Sequence, residues 1–310
     1  MLVVRGYDHV PPEVQGAVVA IGNFDGVHKG HQALIAAAVK EARASGRSAG
    51  ALLFEPHPRE YFRPDEDHFH LTSLDQKLRI LEGLGLDLAV VLEFGRALAN
   101  LDAEAFIERV LVSGLRVSHI VIGYHFFFGR NRGGTSEILR AAGEKAGFGV
   151  TVVGPVAADG EVFSSTAVRL KLAEGNVKAA AAVLGRLWSV EGKVVGGAKR
   201  GTGLGFPTAN IPMPKGTALG HGIYAVRVNL EGTMLDGAAY LGTRPTFDNG
   251  MPVLEVFLFD FDGDIYGRNI EVTFIDHIRP DRKFDTPEAL VAQMNADCAR
   301  AREILATHTD

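Results

Sequence analysis

Two histidines lie three residues apart in the run Gly22-Asn23-Phe24-Asp25-Gly26-Val27-His28-Lys29-Gly30-His31-Gln32. Their types and spacing suit chemistry on a phosphate. Gly22, Gly26 and Gly30 permit a tight turn and a close backbone approach to a ligand. A helix beginning near Gly30 points its first amides and its positive dipole end at the same place, which favours an anion. His28 and His31 can then face one phosphoryl group and donate to it as charge grows on a departing pyrophosphate. The plainer alternative is a glycine-rich turn whose histidines cap or pack. Zinc is a weaker alternative, because no third ligand is evident and the helical zinc motif needs His at i and i+4 with a Glu.

A second constellation follows much later. Gly201-Thr202-Gly203-Leu204-Gly205-Phe206-Pro207-Thr208-Ala209-Asn210-Ile211 reads as a glycine-rich loop ending in two small polar side chains. The Gly-Lys-Ser/Thr ending of a P-loop is missing. Its glycines still let amides line a phosphate, and Thr208 and Asn210 offer hard oxygens suited to magnesium. Glu255 lies between Leu254 and Val256 in an apolar run. In a strand it points away from both neighbours, and a carboxylate in such a place needs a function or a partner. Asp260, Asp262 and Asp264 read as a solvated turn rather than a calcium loop.

The elements that must position these residues differ between the two halves of the chain. Short apolar runs at 17–21, 50–54, 88–94, 119–123 and 150–156 read as buried strands. Helical patterns at 30–44, 73–84, 102–113 and 135–147 alternate with them, with Ser73, Asp102 and Thr135 as N-caps. Alternation of this kind predicts a parallel sheet with ligands beyond the carboxyl ends of its strands. A helical stretch at 165–184 is broken at Gly175-Asn176. From Trp188 on, strand runs at 189–195, 223–229, 234–241, 253–259 and 270–275 are separated by turns, which predicts a compact antiparallel barrel. One helix, 286–307, capped by Thr286 with Pro287 in its first turn, ends the sequence.

Here a family resemblance becomes explicit. Gly22–Gln32 resembles the HxGH signature of the nucleotidyltransferase superfamily. In its longer form it is similar to the adenylyltransferase module of the bifunctional riboflavin kinase/FAD synthetase family. Ser164-Ser165-Thr166-Ala167-Val168-Arg169 matches the second half of that signature. The resemblance implies catalytic roles for His28 and His31. It places Gly22, Asn23, Phe24, Asp25 and Gly26 at ATP with Ser164, Ser165, Thr166 and Arg169, hydroxyls and an arginine fork making a sound polyphosphate clamp. Phe54-Glu55-Pro56-His57-Pro58-Arg59 also matches, which puts Pro56, His57, Pro58 and Arg59 near the flavin on an exposed loop fixed by two prolines. His125 departs from the family, which usually carries Asp or Asn there.

Gly205-Phe206-Pro207-Thr208-Ala209-Asn210 resembles the riboflavin kinase signature. Segments beginning at Gly222, Gly242, Leu254 and Arg279 follow in family order. The resemblance implies ATP contacts at Lys199, Gly201, Gly205, Phe206 and Pro207, magnesium at Thr208 and Asn210, and flavin contacts at Arg279 and Phe284. Glu255 would take the proton of the riboflavin 5′-hydroxyl. Departures occur at Leu187, Ala198 and Tyr240, where the family often has Pro, Asp and Asn.

The expected fold is therefore an α/β nucleotidyltransferase-type parallel sheet domain at 1–185, followed by a small antiparallel β-barrel domain with a C-terminal helix at 186–310. The expected reactions are ATP-dependent phosphorylation of riboflavin to FMN and adenylylation of FMN to FAD with release of pyrophosphate. The partners are small molecules, and a homo-oligomeric state stays open. With 310 residues, 46% of them hydrophobic, two domains are the natural expectation. A net charge of −5 argues against a broad nucleic-acid surface. No apolar run approaches the roughly 20 residues of a membrane helix, and the single cysteine, Cys298, excludes an internal disulfide. A cytoplasmic setting follows. Three rivals remain: one active module alone, a flavin sensor without turnover, and a nucleotidyltransferase for another acceptor, which leaves the barrel idle.

Overall fold

The structure, a computed structural model, describes residues 1–158, 160–196, 206–243 and 251–308. The chain forms two compact units: residues 1–68 with 74–164, and residues 69–73 with 165–310.

In the first unit the strands are β1 (Leu2–Arg5), β2 (Val18–Ile21), β3 (Ala49–Glu55), β4 (Leu88–Glu93), β5 (His119–Gly123) and β6 (Gly149–Val153). They form one parallel sheet in the order β1-β4-β3-β2-β5-β6. The α-helices described in this unit are α1 (Lys29–Ser45), α2 (Pro58–Phe62), α3 (Leu74–Gly83), α4 (Arg96–Ala99), α5 (Ala103–Phe106) and α6 (Ser136–Ala146). Both faces of the sheet are covered, which is why its strands read as unbroken apolar runs. Val19, Ile21, Leu52, Val90 and Ile120 pack on one side, and Val18, Ala20, Leu53, Ala89 and Val121 on the other.

Several elements differ from the sequence expectation. β1 is four residues long with Leu2 and Val3 half exposed, too slight to show as a buried run. The helix expected over 102–113 is α5 followed by a π-helix, Ile107–Gly114. The fifth expected strand stops at Val153, and a two-stranded hairpin of β7 (Ala157–Ala158) and β8 (Glu161–Val162) follows it.

The second unit contains α7 (Ser165–Ala173) and α8 (Val177–Leu184), separated by Gly175 with φ 75° and by Asn176, which caps α8. Six strands follow: β9 (Ser189–Lys193), β10 (Thr208–Pro212), β11 (Gly222–Leu230), β12 (Thr233–Thr243), β13 (Pro252–Leu258) and β14 (Asn269–Pro280). Their order is β10-β13-β12-β11-β14-β9, all antiparallel. A single bridge between Val195 and Asn210 joins the two edges, so that the barrel is nearly closed. Tyr224, Val226, Leu254, Val256, Phe274 and Trp188 fill its interior. The C-terminal helix, Pro287–Thr307, packs on the outer face against Ala225, Ala238 and Ile275.

β10 corrects a loop reading. Thr208 and Asn210 alternate with Ala209 and Ile211 in strand fashion, but the run is short and bounded by Pro207 and Pro212. Prolines at the ends of an edge strand make it look like a turn.

The segment 69–73 reaches far along the chain to stitch the second unit. The Trp188 indole donates to the Leu71 carbonyl at 3.0 Å, and the Arg169 guanidinium donates to the Phe69 carbonyl at 2.8 and 3.2 Å.

Candidate active sites

The histidine turn leaves the carboxyl end of β2, as the parallel-sheet rule requires. Its backbone is unusually bent: Phe24, Gly26 and Val27 all have positive φ, at 51°, 78° and 42°. A β-branched residue in that region is a genuine outlier, the kind of strain that persists where surroundings fix it. Here the Val27 amide donates to the Phe24 carbonyl, Gln32 Nε2 donates to the Val27 carbonyl at 2.9 Å, and both side chains are fully buried.

His28 is the N-cap of α1. Its Nδ1 accepts the His31 amide at 3.4 Å. That contact assigns the proton to Nε2, leaving an N–H donor on the far side of the ring. The two imidazoles stack with centroids 3.7 Å apart. Gly30 suits this packing: a Cβ there would crowd the His28 ring at 3.0 Å and the Phe163 carbonyl at 3.2 Å. Burial, with help from the charges of His28 and Lys77, holds the His31 pKa well below its ordinary value, so this ring is neutral. Its buried Nδ1 has no hydrogen-bond partner among the described residues. The His28 N–H and the free amides at the start of α1 are donors of the kind that can serve an anion such as a polyphosphate.

The shift at His31 carries a stability consequence. The unfolded chain binds a proton at His31 near pH 6.5 that the folded unit refuses. His31 therefore adds stability above about pH 6.5 that is lost on acidification. Thermal melts between about pH 7 and pH 5 should show a falling midpoint for this unit, and His31→Gln should flatten that slope. An unchanged slope would refute the assignment.

Lys77 is a residue that the sequence reading passed over. It is 1% exposed, and burial lowers its pKa against the opposing pull of Asp25, Glu55 and Glu60. Asp25 is itself buried. The available signal was position: Lys77 stands between Leu74 and Leu81 on one helical stripe, where an apolar residue is expected.

Gly22 and Asn23 of the same turn also share the wall of a cavity of about 1050 Å³. Phe54, Phe62, Phe94, Phe106 and the run Phe126–Phe128 supply flat apolar walls, while Arg59, Arg63, Arg132 and His125 supply cationic or polar edges. Among the residues that line it, none is acidic. An aromatic slot with a few convergent polar groups suits a planar heterocycle. Of the four residues expected near a flavin, Pro58 and Arg59 line this cavity and Pro56 and His57 do not. Pro58 belongs to α2 rather than to a loop. His57 caps that helix through Nδ1, and Glu60 returns a bond to the His57 amide, so the capping box presents Pro58 and Arg59. Arg59 and Arg63 both pair with Glu66.

Ser164 ends the first unit, whereas Ser165, Thr166 and Arg169 lie on α7 in the second.

The barrel brings its own group together. The strand register sets Asn210 opposite Glu255 and Glu255 opposite Tyr240, so three side chains form one row across β10, β13 and β12. Leu254 and Val256 point into the barrel and Glu255 to the other face, as the alternation predicted. The Thr208 hydroxyl donates to Glu255 Oε2 at 3.4 Å, and Asn210 Nδ2 donates to the Thr208 carbonyl at 3.1 Å. Phe206 packs edge-on against Phe257 at 5.2 Å, and Pro207 and Thr208 line a cavity of about 290 Å³ with Asp262 and Asp264. Lys199, Gly201 and Gly205, together with Ala198, lie outside the described residues.

Arg279 grips Asp297 of the C-terminal helix through Nε and Nη2 at 2.7–3.1 Å. Asp297 is 4% exposed and also accepts from Gln293. The Arg279 guanidinium lies 5.7 Å from the Phe284 ring, and that of Arg282 lies 4.6 Å from it. The structure thus shows Arg279 fastening the helix to β14.

Comparison with known proteins also divides the chain in two. The family model for FAD synthetase matches residues 10–167, and that for riboflavin kinase matches residues 184–305. The pairing of these two domains defines a two-site transferase. The bifunctional riboflavin kinase/FMN adenylyltransferase of Pseudomonas fluorescens is 39% identical over 99% of this chain and 98% of its own length. That of Escherichia coli K12 is 40% identical over 98% and 97%. A crystal structure from Streptococcus pneumoniae, described as a macrolide-efflux protein, superposes with a TM-score of 0.85 at 30% identity over the whole of both chains. Among the described residues no helix here is long and apolar enough to cross a membrane. The chain belongs to the bifunctional riboflavin kinase/FMN adenylyltransferase family.

Proposed function

We propose that this chain phosphorylates riboflavin with Glu255 as base and adenylylates the resulting FMN at the histidine turn, each step using one ATP. The observation that carries the second step is the shared wall: Gly22 and Asn23 belong both to the phosphate-binding turn and to the aromatic cavity. A flavin ring held there directs its ribityl phosphate toward His28.

In the kinase step, Glu255 accepts the proton of the 5′-hydroxyl as that oxygen attacks the γ-phosphorus of ATP and ADP leaves. Thr208, donating to Glu255, keeps the carboxylate aimed. Among the described residues no three His, Cys, Asp or Glu side chains converge as a metal site. The donors at Thr208 and Asn210 instead suit Mg²⁺, which takes one or two protein oxygens and completes its shell with substrate phosphates and water. Bound there, Mg²⁺ would neutralise charge on the transferring phosphate. In the adenylyl step, an FMN phosphate oxygen attacks the α-phosphorus of ATP and pyrophosphate departs. His28 Nε2–H and the first amides of α1 donate to the charge that develops. Ser164, Ser165, Thr166 and Arg169 serve the outgoing β- and γ-phosphates.

We place the boundary between the catalytic modules at 185/186, a reading supported by the kinase model beginning at residue 184. The work belongs in the cytoplasm, with small molecules as its partners. A time course with riboflavin, ATP and magnesium, resolved by chromatography, tests the whole reading. FMN should rise first and FAD should follow it. The absence of both products would overturn it, and FMN without FAD would confine activity to the barrel.

A further inference from the structure

Tyr240 faces Glu255 directly in the β12–β13 register, on the face that also carries Asn210. Its ring folds back over Gly242, where a Cβ would collide with the phenol oxygen and Cζ. The hydroxyl ends on Asp281 Oδ2, donating at 3.0 Å. Asp281 opens the segment that runs from the end of β14 to the Thr286 cap of the C-terminal helix. The guanidinia of Arg279 and Arg282 lie 5.7 and 4.6 Å from its Phe284 ring, and Arg279, just before it, grips Asp297. These contacts tie the segment to its own surroundings in the chain, whereas the Tyr240–Asp281 bond ties it to the row containing the base.

We propose that Tyr240 is a positioning residue of the kinase site: its hydroxyl latches the 281–284 segment beside Glu255 and thereby sets the affinity for the flavin. The inference rests on the reading in which Arg279 and Phe284 stand at the flavin. The phenol reaches Asp281 because an aromatic ring intervenes between Cβ and oxygen. An asparagine, the residue that the resembled family often carries here, is too short to make the same bond. The latch is therefore a property of this chain, and it acts on binding of the flavin rather than on proton transfer.

The test uses the full-length enzyme and the variants Tyr240→Phe, Asp281→Ala and their double. Each single change should raise the KM for riboflavin by about three- to tenfold, the size of one partly exposed hydrogen bond, with kcat within twofold. The double variant should be no worse than either single, because both remove the same bond. FAD formation from supplied FMN should be unchanged in all three. Trypsin should also nick ligand-free Tyr240→Phe after Arg282 or Lys283 faster than the parent. Additive KM effects, an unchanged nicking rate, or a tenfold loss of kcat at constant KM would each overturn the latch. Phe284→Ala separates the underlying reading: an unaltered KM there removes the flavin from this segment, while the nicking assay still reports on the latch.

Discussion

Glu255→Gln should cut FMN formation by about 10²–10⁴-fold, the range of a lost general base, while FAD formation from supplied FMN continues at the parental rate. Glutamine keeps the length and shape of the side chain. Its amide oxygen can still accept from the Thr208 hydroxyl, now 3.4 Å from Glu255 Oε2. Substitution thus removes the proton acceptor without emptying the site. The fold should tolerate it, since Glu255 is half-buried on the outer face and the barrel interior is built from Leu254, Val256 and their neighbours. Separate assays started from riboflavin and from FMN measure this. Retained FMN formation would remove Glu255 from the role of base.

His28→Asn should produce the opposite pattern, with FAD formation reduced by about 10²–10³-fold, the typical cost of one transition-state donor, and FMN formation intact. Asparagine is the informative replacement. His28 has two tasks, since its Nδ1 caps α1 by accepting the His31 amide, which leaves Nε2–H as the donor of the ring. Alanine would remove both and would add a cap loss of about 0.5–2 kcal/mol. Asparagine is among the best N-caps, so it preserves the helix start and deletes the imidazole donor. Equal loss of both activities in a folded His28→Asn protein would contradict the assignment of each reaction to its own site.

The parts of these sites that were legible in the sequence are those whose geometry is local. The His28–Gly30–His31 spacing declares its own turn, because a Cβ at Gly30 would crowd the His28 ring and a helix begins there. The face to which Glu255 points was readable from strand alternation alone. Non-local features were not. The aromatic cavity draws Phe54 from β3, Phe62 from α2, Phe94 from beyond β4, Phe106 from α5 and Phe126–Phe128 from the segment after β5. No window of sequence contains more than a fragment of that wall. Lys77 was hidden for a related reason: its stripe on α3 marks it as buried, but only the fold sets Asp25 close enough to feel its charge. Arg279 shows a non-local partner of another kind: its family motif announces a ligand, and only the fold adds the bond of its guanidinium to the buried Asp297.

The five residues at 69–73 have a consequence for inheritance. The second compact unit is written in two separate stretches of the gene, and the smaller stretch supplies the carbonyls of Phe69 and Leu71 to Arg169 and Trp188. A gene fragment that begins at codon 165 encodes every strand of the barrel yet omits the acceptor for an indole N–H that is 1% exposed. Losing that bond and the Phe69 ring packed on Trp188 removes about 0.5–1.5 kcal/mol for the hydrogen bond alone, a sizeable share of the stability of a small domain. Gene fission at that point should therefore release a less stable second unit, measurable as a lower melting midpoint for residues 165–310 than for 69–310. Point mutations can part the two activities, whereas scissors applied there leave the second unit short of its own strap.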